Sequence, residues 1–324
     1  MPERIILDTD IGTDVDDAMA VALAALSPEL RVEGITTVYG DVDLRARMAV
    51  KILKLLGRED IPVMAGVEHV LLRNRPLWWL GHEGEGLLTE EDRHLAYDPR
   101  HGVDFIIQTV KENPGEITLV AIGPFTNLAV ALAREPRVAQ WVKNIIIMGG
   151  SARLGSNGAE LEYIDHNVKC DPESAALLFA SGAPITMCGY DVTRQVLVRT
   201  ADVERLEATR DSLNAAMAKM IRKWLDWWKR DFTAMNDPLC VAMAFDPTFC
   251  RGQKMNVHVE YDHRHPTGHT ICELPVTPWT PPEELGQEKP EPTVQVCLEV
   301  DAQRFMSMLM DRVCSRRPGV EAKE

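Results

Sequence analysis

The chain has 324 residues, of which 45% are hydrophobic, and its formal net charge is −14. A chain of this length buries a substantial core, either as one large α/β domain or as two smaller ones. Its acidic balance leaves no basic surface for nucleic acid or an anionic membrane, because binding to phosphates requires clustered Lys and Arg. We therefore expect a small-molecule substrate, with neither nucleic acid nor a membrane as partner.

The first residues run directly into a strand, without the basic and apolar regions of a secretory signal, and no apolar stretch reaches the roughly 18 residues of a membrane span. We expect a cytoplasmic protein. Its seven cysteines are scattered and form no CxxC pair, which is typical of reduced core thiols. His263, His265, His269 and Cys272 lie close together, but their irregular spacing favours solvated hairpin residues over a zinc site.

Short β-branched runs alternate with longer amphipathic runs through the first two-thirds of the chain. Strands are predicted at 4–10, 32–38, 116–123, 144–150 and 184–189, with helices at 16–26, 44–57 and 126–136. This βαβ rhythm predicts an α/β fold with an open, mainly parallel, doubly wound (Rossmann-like) sheet flanked by helices. Ligands of such sheets bind at the carboxyl ends of the strands.

The last third of the chain has a different texture. One long helix is predicted over 201–230, and it carries Trp224, Trp227 and Trp228 near its end. Strands at 255–261, 269–275 and 293–299, a Pro-rich acidic loop and a helix at 301–314 predict a small β-hairpin and helix as a C-terminal addition. Because no linker clearly separates two parts, we expect a single domain over 1–324.

An acidic loop follows the first predicted strand, in the segment IILDTDIGTDVDDAMA. Asp8 and Asp10 lie two apart and point to one side of the strand, while Asp16 and Asp17 open the next helix. Helix capping, at about 0.3–1 kcal/mol per carboxylate, explains one or two of these residues. Packing more like charges together destabilises a fold unless a cation compensates, and carboxylate oxygens suit Ca²⁺ or Mg²⁺. The loop therefore predicts a divalent-metal site.

Two known acidic patterns fit this loop poorly. An EF-hand starting at Asp8 requires Gly at position 13 and Glu at position 19, where this chain has Thr13 and Met19. A haloacid-dehalogenase-like phosphatase has Gly and Thr directly after its second Asp, and here Ile11 intervenes. The EF-hand is excluded, whereas the phosphatase, with Asp8 as its nucleophile, stays as an alternative.

A third pattern fits most of the chain, since DTDIGTDVDDAMA resembles the signature of the inosine–uridine-preferring nucleoside hydrolase family. Other segments agree in order and spacing: GITTVYGDV at 34–42, GPFTN at 123–127, IIIMGG at 145–150, DHNVKCDPESA at 165–175, DVT at 191–193 and NDPL at 236–239. The resemblance covers residues 4–250 well and 255–315 more loosely. It implies calcium-dependent hydrolysis of the N-glycosidic bond of ribonucleosides to free base and ribose, by a homodimer or homotetramer.

The resemblance also implies roles for individual residues. Ca²⁺ would be held by Asp10, Asp17, the backbone carbonyl of Thr126 and Asp237, and Asp10 would take the proton of a metal-bound water. Asp8 would support these ligands from behind. The substrate would be contacted by Asp16, Asp41, His82, Asn157, Asp165, His166, Asn167, Trp224 and Asp237, with Asn157 at the 5′-hydroxyl. For Asp165 and Asn167, a simple turn or helix cap is the alternative.

The chain departs from the family pattern near the leaving base. Asn236 stands where well-studied members have the histidine assigned to protonating that base, and a neutral amide cannot donate a proton in this way. His82, which matches a base-side histidine of the family, and His166 are the other candidates for this acid. Tryptophans able to stack on a base are Trp78, Trp79, Trp224, Trp227 and Trp228. A non-catalytic nucleoside or ribose binder stays as a second alternative.

Overall fold

The computed structural model describes residues 1–73, 75–152, 164–261, 267–273 and 292–315. Its strands are β1 (Glu3–Thr9), β2 (Leu30–Thr37), β3 (Val63–Ala65), β4 (Ile117–Ala121), β5 (Asn144–Met148), β6 (Ile185–Cys188), β7 (Leu197–Arg199), β8 (Phe232–Ala234), β9 (Cys250–Val259), β10 (Thr270–Glu273) and β11 (Val294–Val300). Its helices are α1 (Asp16–Leu26), α2 (Val42–Leu56), α3 (Gly102–Glu112), α4 (Thr126–Arg134), α5 (Val138–Trp141), α6 (His166–Cys170), α7 (Pro172–Phe179), α8 (Tyr190–Thr193), α9 (Thr200–Ala208), α10 (Ser212–Trp228), α11 (Asn236–Phe245) and α12 (Ala302–Cys314).

Nine of these strands form one sheet in the order β10-β9-β11-β6-β5-β4-β1-β2-β3. The neighbours from β11 to β3 are parallel, whereas β9 runs antiparallel to both β11 and β10. The predicted mainly parallel α/β sheet is confirmed. The C-terminal hairpin extends this sheet, because β11 lies parallel beside β6.

Apolar side chains cover both faces of the sheet, as a doubly wound fold requires. Side chains alternate along a strand, so Ile5 and Leu7 of β1 join the core cluster that contains α1, α10 and α11. Ile6, between them, joins the opposite cluster, which contains α3, α4 and α7. Strands buried on both faces read as continuous apolar runs, which is why the sequence revealed them clearly.

The strand order reverses between β1 and β4, because β2 and β3 lie on one side of β1 while β4, β5 and β6 lie on the other. In open α/β sheets the crevice at such a reversal, outside the carboxyl ends of the strands, is where ligands bind. The loop after β1 carries the acidic segment, and the loop after β4 carries the GPFTN turn. Both segments therefore border this crevice.

The predicted long helix over 201–230 is two helices, α9 and α10, separated at 209–211. Arg210 adopts the left-handed backbone conformation (φ 55°), which ends the first helix. Asp211 then begins the second, since its carboxylate accepts hydrogen bonds from the backbone N–H groups of Leu213 and Asn214 at 3.0 and 3.2 Å. The polar sequence between the helices is thus a C-terminus followed by an N-cap, and the prediction of one helix was wrong at this point.

Among the described residues, no helix combines the length and apolar character needed to cross a membrane.

The cap at Asp211 makes a stability prediction. Asp211→Ala leaves two buried N–H groups of α10 without an acceptor and should lower the free energy of unfolding by about 1–2 kcal/mol. Urea denaturation followed by circular dichroism measures this change. The matched control is Asp226→Ala, at an exposed position of the same helix, with an expected change within about 0.5 kcal/mol. Equal effects of the two substitutions would contradict the assignment of the cap.

Candidate functional site

Three acidic side chains converge at the ends of two helices near the carboxyl end of β1. Asp16 and Asp17 open α1, and Asp237 is the second residue of α11. One carboxylate oxygen from each residue lies within 4.8 Å of those of the other two, and all three side chains are buried. We call these three residues the acidic triad. Helices that are distant in sequence therefore bring their N-termini, which favour negative charge, to one point.

Burial and mutual repulsion make this group costly as free anions. Burial raises the pKa of Asp17 well above its usual range, and repulsion from Asp10 and Asp16 raises it further. The pKa of Asp237 is raised in the same way, by burial first and then by Asp16 and Asp17. A divalent cation relieves this repulsion, and its oxygen-only ligands are of the type that Ca²⁺ and Mg²⁺ prefer. The residues present therefore fit a hard divalent cation.

Hydrogen bonds hold the acidic triad in place. The Thr9 hydroxyl donates to Asp17 Oδ1 at 2.5 Å. Asn236 donates to Asp16 Oδ2 from both its backbone N–H, at 3.1 Å, and its side-chain Nδ2, at 2.9 Å. Asn236 Oδ1 in turn accepts a hydrogen bond from the Thr193 hydroxyl at 2.9 Å. Asn236 thus uses both ends of its amide to orient Asp16.

Asp8 lies behind the acidic loop, the position that the family resemblance implies. Its Oδ1 accepts hydrogen bonds from the Thr36 hydroxyl at 2.5 Å and from Asn127 Nδ2 at 2.7 Å. Its Oδ2 is buried and has no hydrogen-bond partner among the described residues. Burial raises the pKa of Asp8 to about 7. Asp8 therefore ties β1 to β2 and to the GPFTN turn.

The GPFTN turn packs tightly against the acidic loop. A Cβ at Gly123 would lie 2.9 Å from both the backbone nitrogen and Oδ1 of Asp10, so only glycine fits there. Thr126, in the same turn, is buried at the start of α4. Its hydroxyl donates to Asp171 Oδ2 at 2.6 Å. The predicted metal residues Asp10 and Thr126 thus sit on adjacent loops at the crevice.

The segment at 165–167 lies at the same edge of the sheet. Asp165 caps α6 by accepting a hydrogen bond from the Val168 N–H at 3.1 Å, and burial raises its pKa to about 6. Asn167 Nδ2 donates to the carbonyls of Ile122 at 2.8 Å and Met148 at 3.0 Å. Asp165 thus makes the helix-cap contact of the alternative interpretation, and the contacts of Asn167 hold this segment at the ends of β4 and β5.

His166 lies over the entrance to the acidic loop. Its Nε2 is 3.8 Å from Asp10 Oδ2. The centroid of its ring is 4.8 Å from that of Trp78 and 6.1 Å from that of Tyr39. One predicted aromatic candidate, Trp78, thus lies on the same side of the crevice as His166.

A cavity opens on the other side of the acidic loop. It is lined by Gly12, Asp14, Val15, His82, Gly84, Glu85, Met220, Lys223, Trp224 and Trp227. His82 Nε2 donates to the backbone carbonyl of Thr13 at 3.1 Å, since a carbonyl can only accept. The centroid of its ring lies 6.0 Å from that of Trp224 and 5.5 Å from that of Trp227. The lining thus joins one histidine and two indoles, whose aromatic faces can stack on a flat heterocycle.

The tryptophans divide between the cavity and packing. Trp224 is 9% exposed and anchored by Nε1, which donates to the Thr233 hydroxyl at 3.1 Å. Trp227 is 52% exposed, at the cavity rim. Trp228 packs edge-on against Trp224 and does not line the cavity.

Comparison with known proteins identifies this arrangement. The chain matches the sequence profile of the inosine-uridine preferring nucleoside hydrolase family over residues 5–307. It belongs to this family. The pyrimidine-specific ribonucleoside hydrolase RihA of Salmonella arizonae is 33% identical over 318 residues, which are 95% of this chain and 97% of the relative. The predictions that the chain is an enzyme and a nucleoside hydrolase are confirmed.

Solved structures agree with this assignment over nearly all of the nucleoside hydrolase chain. The purine-preferring ribonucleoside hydrolase from Gardnerella vaginalis aligns with a TM-score of 0.82 and 30% identity, over 97% of this chain and 98% of the other. The plant nucleoside hydrolase PpNRh1 aligns with a TM-score of 0.80 and 31% identity, over 98% of this chain and 100% of the other.

Two predicted site residues of this nucleoside hydrolase remain, Asp41 and Asn157. Asp41 is exposed and caps α2, where it accepts a hydrogen bond from the Leu44 N–H at 2.8 Å. Asn157 falls outside the described residues, as do His263 and His265.

Sequence reasoning missed Arg45, which is fully buried beneath the acidic loop. A signal was present, because Arg45 occupies an inward position of the amphipathic helix α2, one turn before the buried residues Met48 and Ala49. A charged residue at such a position indicates a buried polar partner. Asn127 and Asp171 were also overlooked, and nothing in their local sequence shows that they contact Asp8 and Thr126.

The acidic triad predicts that a divalent cation stabilises the fold. Addition of Ca²⁺ to chelator-treated protein should raise the free energy of unfolding by about 2.7 kcal/mol when free Ca²⁺ exceeds its Kd 100-fold. Thermal denaturation with and without Ca²⁺ measures this effect, and Asp237→Asn serves as the variant expected to lose most of it. A melting temperature that does not respond to Ca²⁺ would show that the triad binds no such ion.

Proposed function

We propose that this nucleoside hydrolase uses calcium to hydrolyse the N-glycosidic bond of ribonucleosides, releasing free base and ribose. The observation that carries the proposal is the buried acidic triad beside a cavity lined by His82, Trp224 and Trp227. The acidic side of the crevice suits a cation and a polyhydroxylated sugar, whereas the aromatic side suits a base. A nucleoside is the small molecule that presents both.

The cation would be held by Asp10, Asp17, the carbonyl of Thr126 and Asp237. Two observations support this set: Asp17 and Asp237 belong to the acidic triad, and the GPFTN turn packs against Asp10. The third member of the triad, Asp16, is close enough to share in ion binding as well as in contacting ribose. A bound divalent cation supplies positive charge that polarises a water molecule and lowers its pKa. Asp10 would accept the proton from that water.

Cleavage of an N-glycosidic bond passes through an oxocarbenium-like sugar, which fixed negative charge stabilises. In this proposal Asp16 and Asp165 supply that charge. The amide nitrogen of Asn167 is engaged by two backbone carbonyls, so its oxygen is the atom left for a ribose hydroxyl. Asp41 and Asn157 complete the proposed sugar contacts.

Departure of the base depends on His82 in this proposal. Asn236 is unsuited to the task, because its amide already joins Asp16 to Thr193. Its proposed role is to orient Asp16 within the site. His82 instead lines the cavity between the acidic loop and the two tryptophans. His166 is the second titratable group near the sugar, at 3.8 Å from Asp10.

Nothing in the structure favours the phosphatase alternative. Its nucleophile would be Asp8, which is 1% exposed and accepts hydrogen bonds from Thr36 and Asn127. A phosphate ester cannot reach it without rearrangement of β1.

A single domain, a homodimer or homotetramer, and a cytoplasmic location stay predictions.

Loss of the ion ligands tests the reaction directly. Asp10→Ala and Asp237→Ala should each lower the release of the nucleobase by at least about 10³-fold, because each substitution removes a ligand of the cation. Asp10→Ala also removes the proposed general base. Liquid chromatography of the free base measures the rate. Asp104→Ala, at an exposed ion pair with Arg134, should retain full activity. Undiminished turnover by either crevice variant would refute the proposal.

The role of His82 predicts a dependence on the leaving group. His82→Ala should slow release of a natural base by about 10²-fold or more, since general acid catalysis is worth that much. It should barely affect hydrolysis of 4-nitrophenyl riboside, because nitrophenolate leaves without protonation. Steady-state kinetics on both substrates gives the ratio. Equal losses on both would show that His82 does not act on the leaving group.

A further inference from the structure

Arg45 of α2 is completely buried, and its guanidinium holds the turn of the acidic loop. Its Nη1 donates to the carbonyls of Asp10 and of Ile11, the latter at 2.8 Å. Its Nη2 donates to the Thr13 hydroxyl at 2.9 Å, and its Nε donates to the Tyr39 carbonyl at 2.6 Å. One side chain thus binds three residues of the loop that carries Asp10, together with the loop after β2.

The same side chain contacts the aromatic side of the crevice. The Arg45 guanidinium lies 5.1 Å from the ring centroid of Trp79. Gly40 makes room for this stacking, since a Cβ there would lie 2.7 Å from the Trp79 ring. The hydroxyl of Thr13 accepts a hydrogen bond from Arg45, and the backbone carbonyl of Thr13 accepts one from His82. Arg45 therefore connects the acidic loop to the segment that carries Trp79 and His82.

The direct partners of Arg45 are neutral, which is unusual for a buried charge. Among the described residues, no carboxylate forms an ion pair with it within 4.0 Å. A buried charge costs free energy unless other charges compensate. The buried carboxylates beyond the loop supply that compensation, since the charge of Arg45 offsets part of the rise that burial causes in the pKa of Asp17. Arg45 is thus tied to the acidic site by charge and to its backbone by hydrogen bonds.

We propose that Arg45 is a positioning residue. Its planar guanidinium holds the loop from Asp10 to Thr13 in place, and it thereby positions the ion ligand Asp10 and the base-side residue His82. The proposal rests on the proposed function for the role of those two residues. The fork geometry is essential, because four donors reach four acceptors in fixed directions, which the single ammonium of a lysine cannot reproduce.

The alternative role for Arg45 is a simple counter-charge, and the two roles predict opposite effects on ion binding. If Arg45 only neutralises the acidic loop, its removal leaves a more negative site that binds Ca²⁺ more tightly. If Arg45 positions Asp10, its removal weakens Ca²⁺ binding despite the more negative site. The direction of the change in Ca²⁺ affinity therefore separates the two roles.

Isothermal titration of chelator-treated protein with Ca²⁺ tests the proposal without relying on hydrolysis. Arg45→Met and Arg45→Lys should both weaken binding by about 10–100-fold, which is the usual effect of losing groups that orient metal ligands. Tighter or unchanged binding by Arg45→Met, or wild-type binding by Arg45→Lys, would overturn the proposal. Nucleoside cleavage by the wild-type protein is measured separately. If the wild type does not cleave nucleosides, the effect of Arg45 on Ca²⁺ affinity can still be interpreted.

The control is Arg58→Met. Arg58 is a half-buried arginine just beyond the end of α2, and like Arg45 it donates a hydrogen bond to a backbone carbonyl, that of Ala25. Its Ca²⁺ affinity should stay within twofold of the wild type. If the Arg45 variants fail to fold, Thr13→Val tests the positioning role instead, since it removes only the hydroxyl that accepts a hydrogen bond from Arg45 Nη2. We expect Thr13→Val to weaken Ca²⁺ binding at least threefold, and an unchanged affinity would contradict the positioning role.

Discussion

Mutual repulsion between buried carboxylates is the constraint on which the rest of this site depends. The carboxylates concerned are Asp8, Asp10, Asp16, Asp17 and Asp237, each at most 5% exposed. A fold that brings them together must supply hydrogen-bond donors and positive charge, since isolated buried anions are costly. The donors come from threonine hydroxyls and from Asn236, while the fixed positive charge comes from Arg45. A divalent cation would provide the remainder, because its charge relieves the repulsion between the carboxylates.

The sheet explains why these groups meet. Reversal of the strand order between β1 and β4 opens a crevice at their carboxyl ends, and the loops after β1, β2, β4 and β5 all border it. The side of the crevice proposed for the sugar is therefore built from loops that follow these strands, such as the one packed closely at Gly123. The aromatic side is built from the segment around His82 and from α10, which lie outside the sheet. This division is consistent with the names of two relatives, of which one is a pyrimidine-specific and the other a purine-preferring ribonucleoside hydrolase.

The sequence allowed the helices α1, α2, α4 and α12, the acidic cluster, and all described strands except β3, β7 and β8 to be predicted, because amphipathic and apolar runs and like-charge clusters are local patterns. The break before Asp211 was missed, since its polar residues fit the exposed face of one long helix equally well. Asp8 was correctly placed behind the other carboxylates, yet its partner Asn127 lies 119 positions away in sequence. The role of Arg45 depends on carbonyl directions set by tertiary structure, and no spacing rule reveals it. For the same reason Asn236 first looked like a lost catalytic acid, whereas its contacts show an anchor for Asp16.

The central claim is that a buried acidic group and an aromatic cavity act together on one ribonucleoside. Incubation of the wild-type protein with a panel of purine and pyrimidine ribonucleosides, followed by separate quantification of free base and free ribose, tests this claim most directly. The account predicts release of base and ribose in equal amounts, dependent on Ca²⁺ and abolished by a strong chelator. Calcium-dependent binding of these nucleosides without release of either product would contradict it.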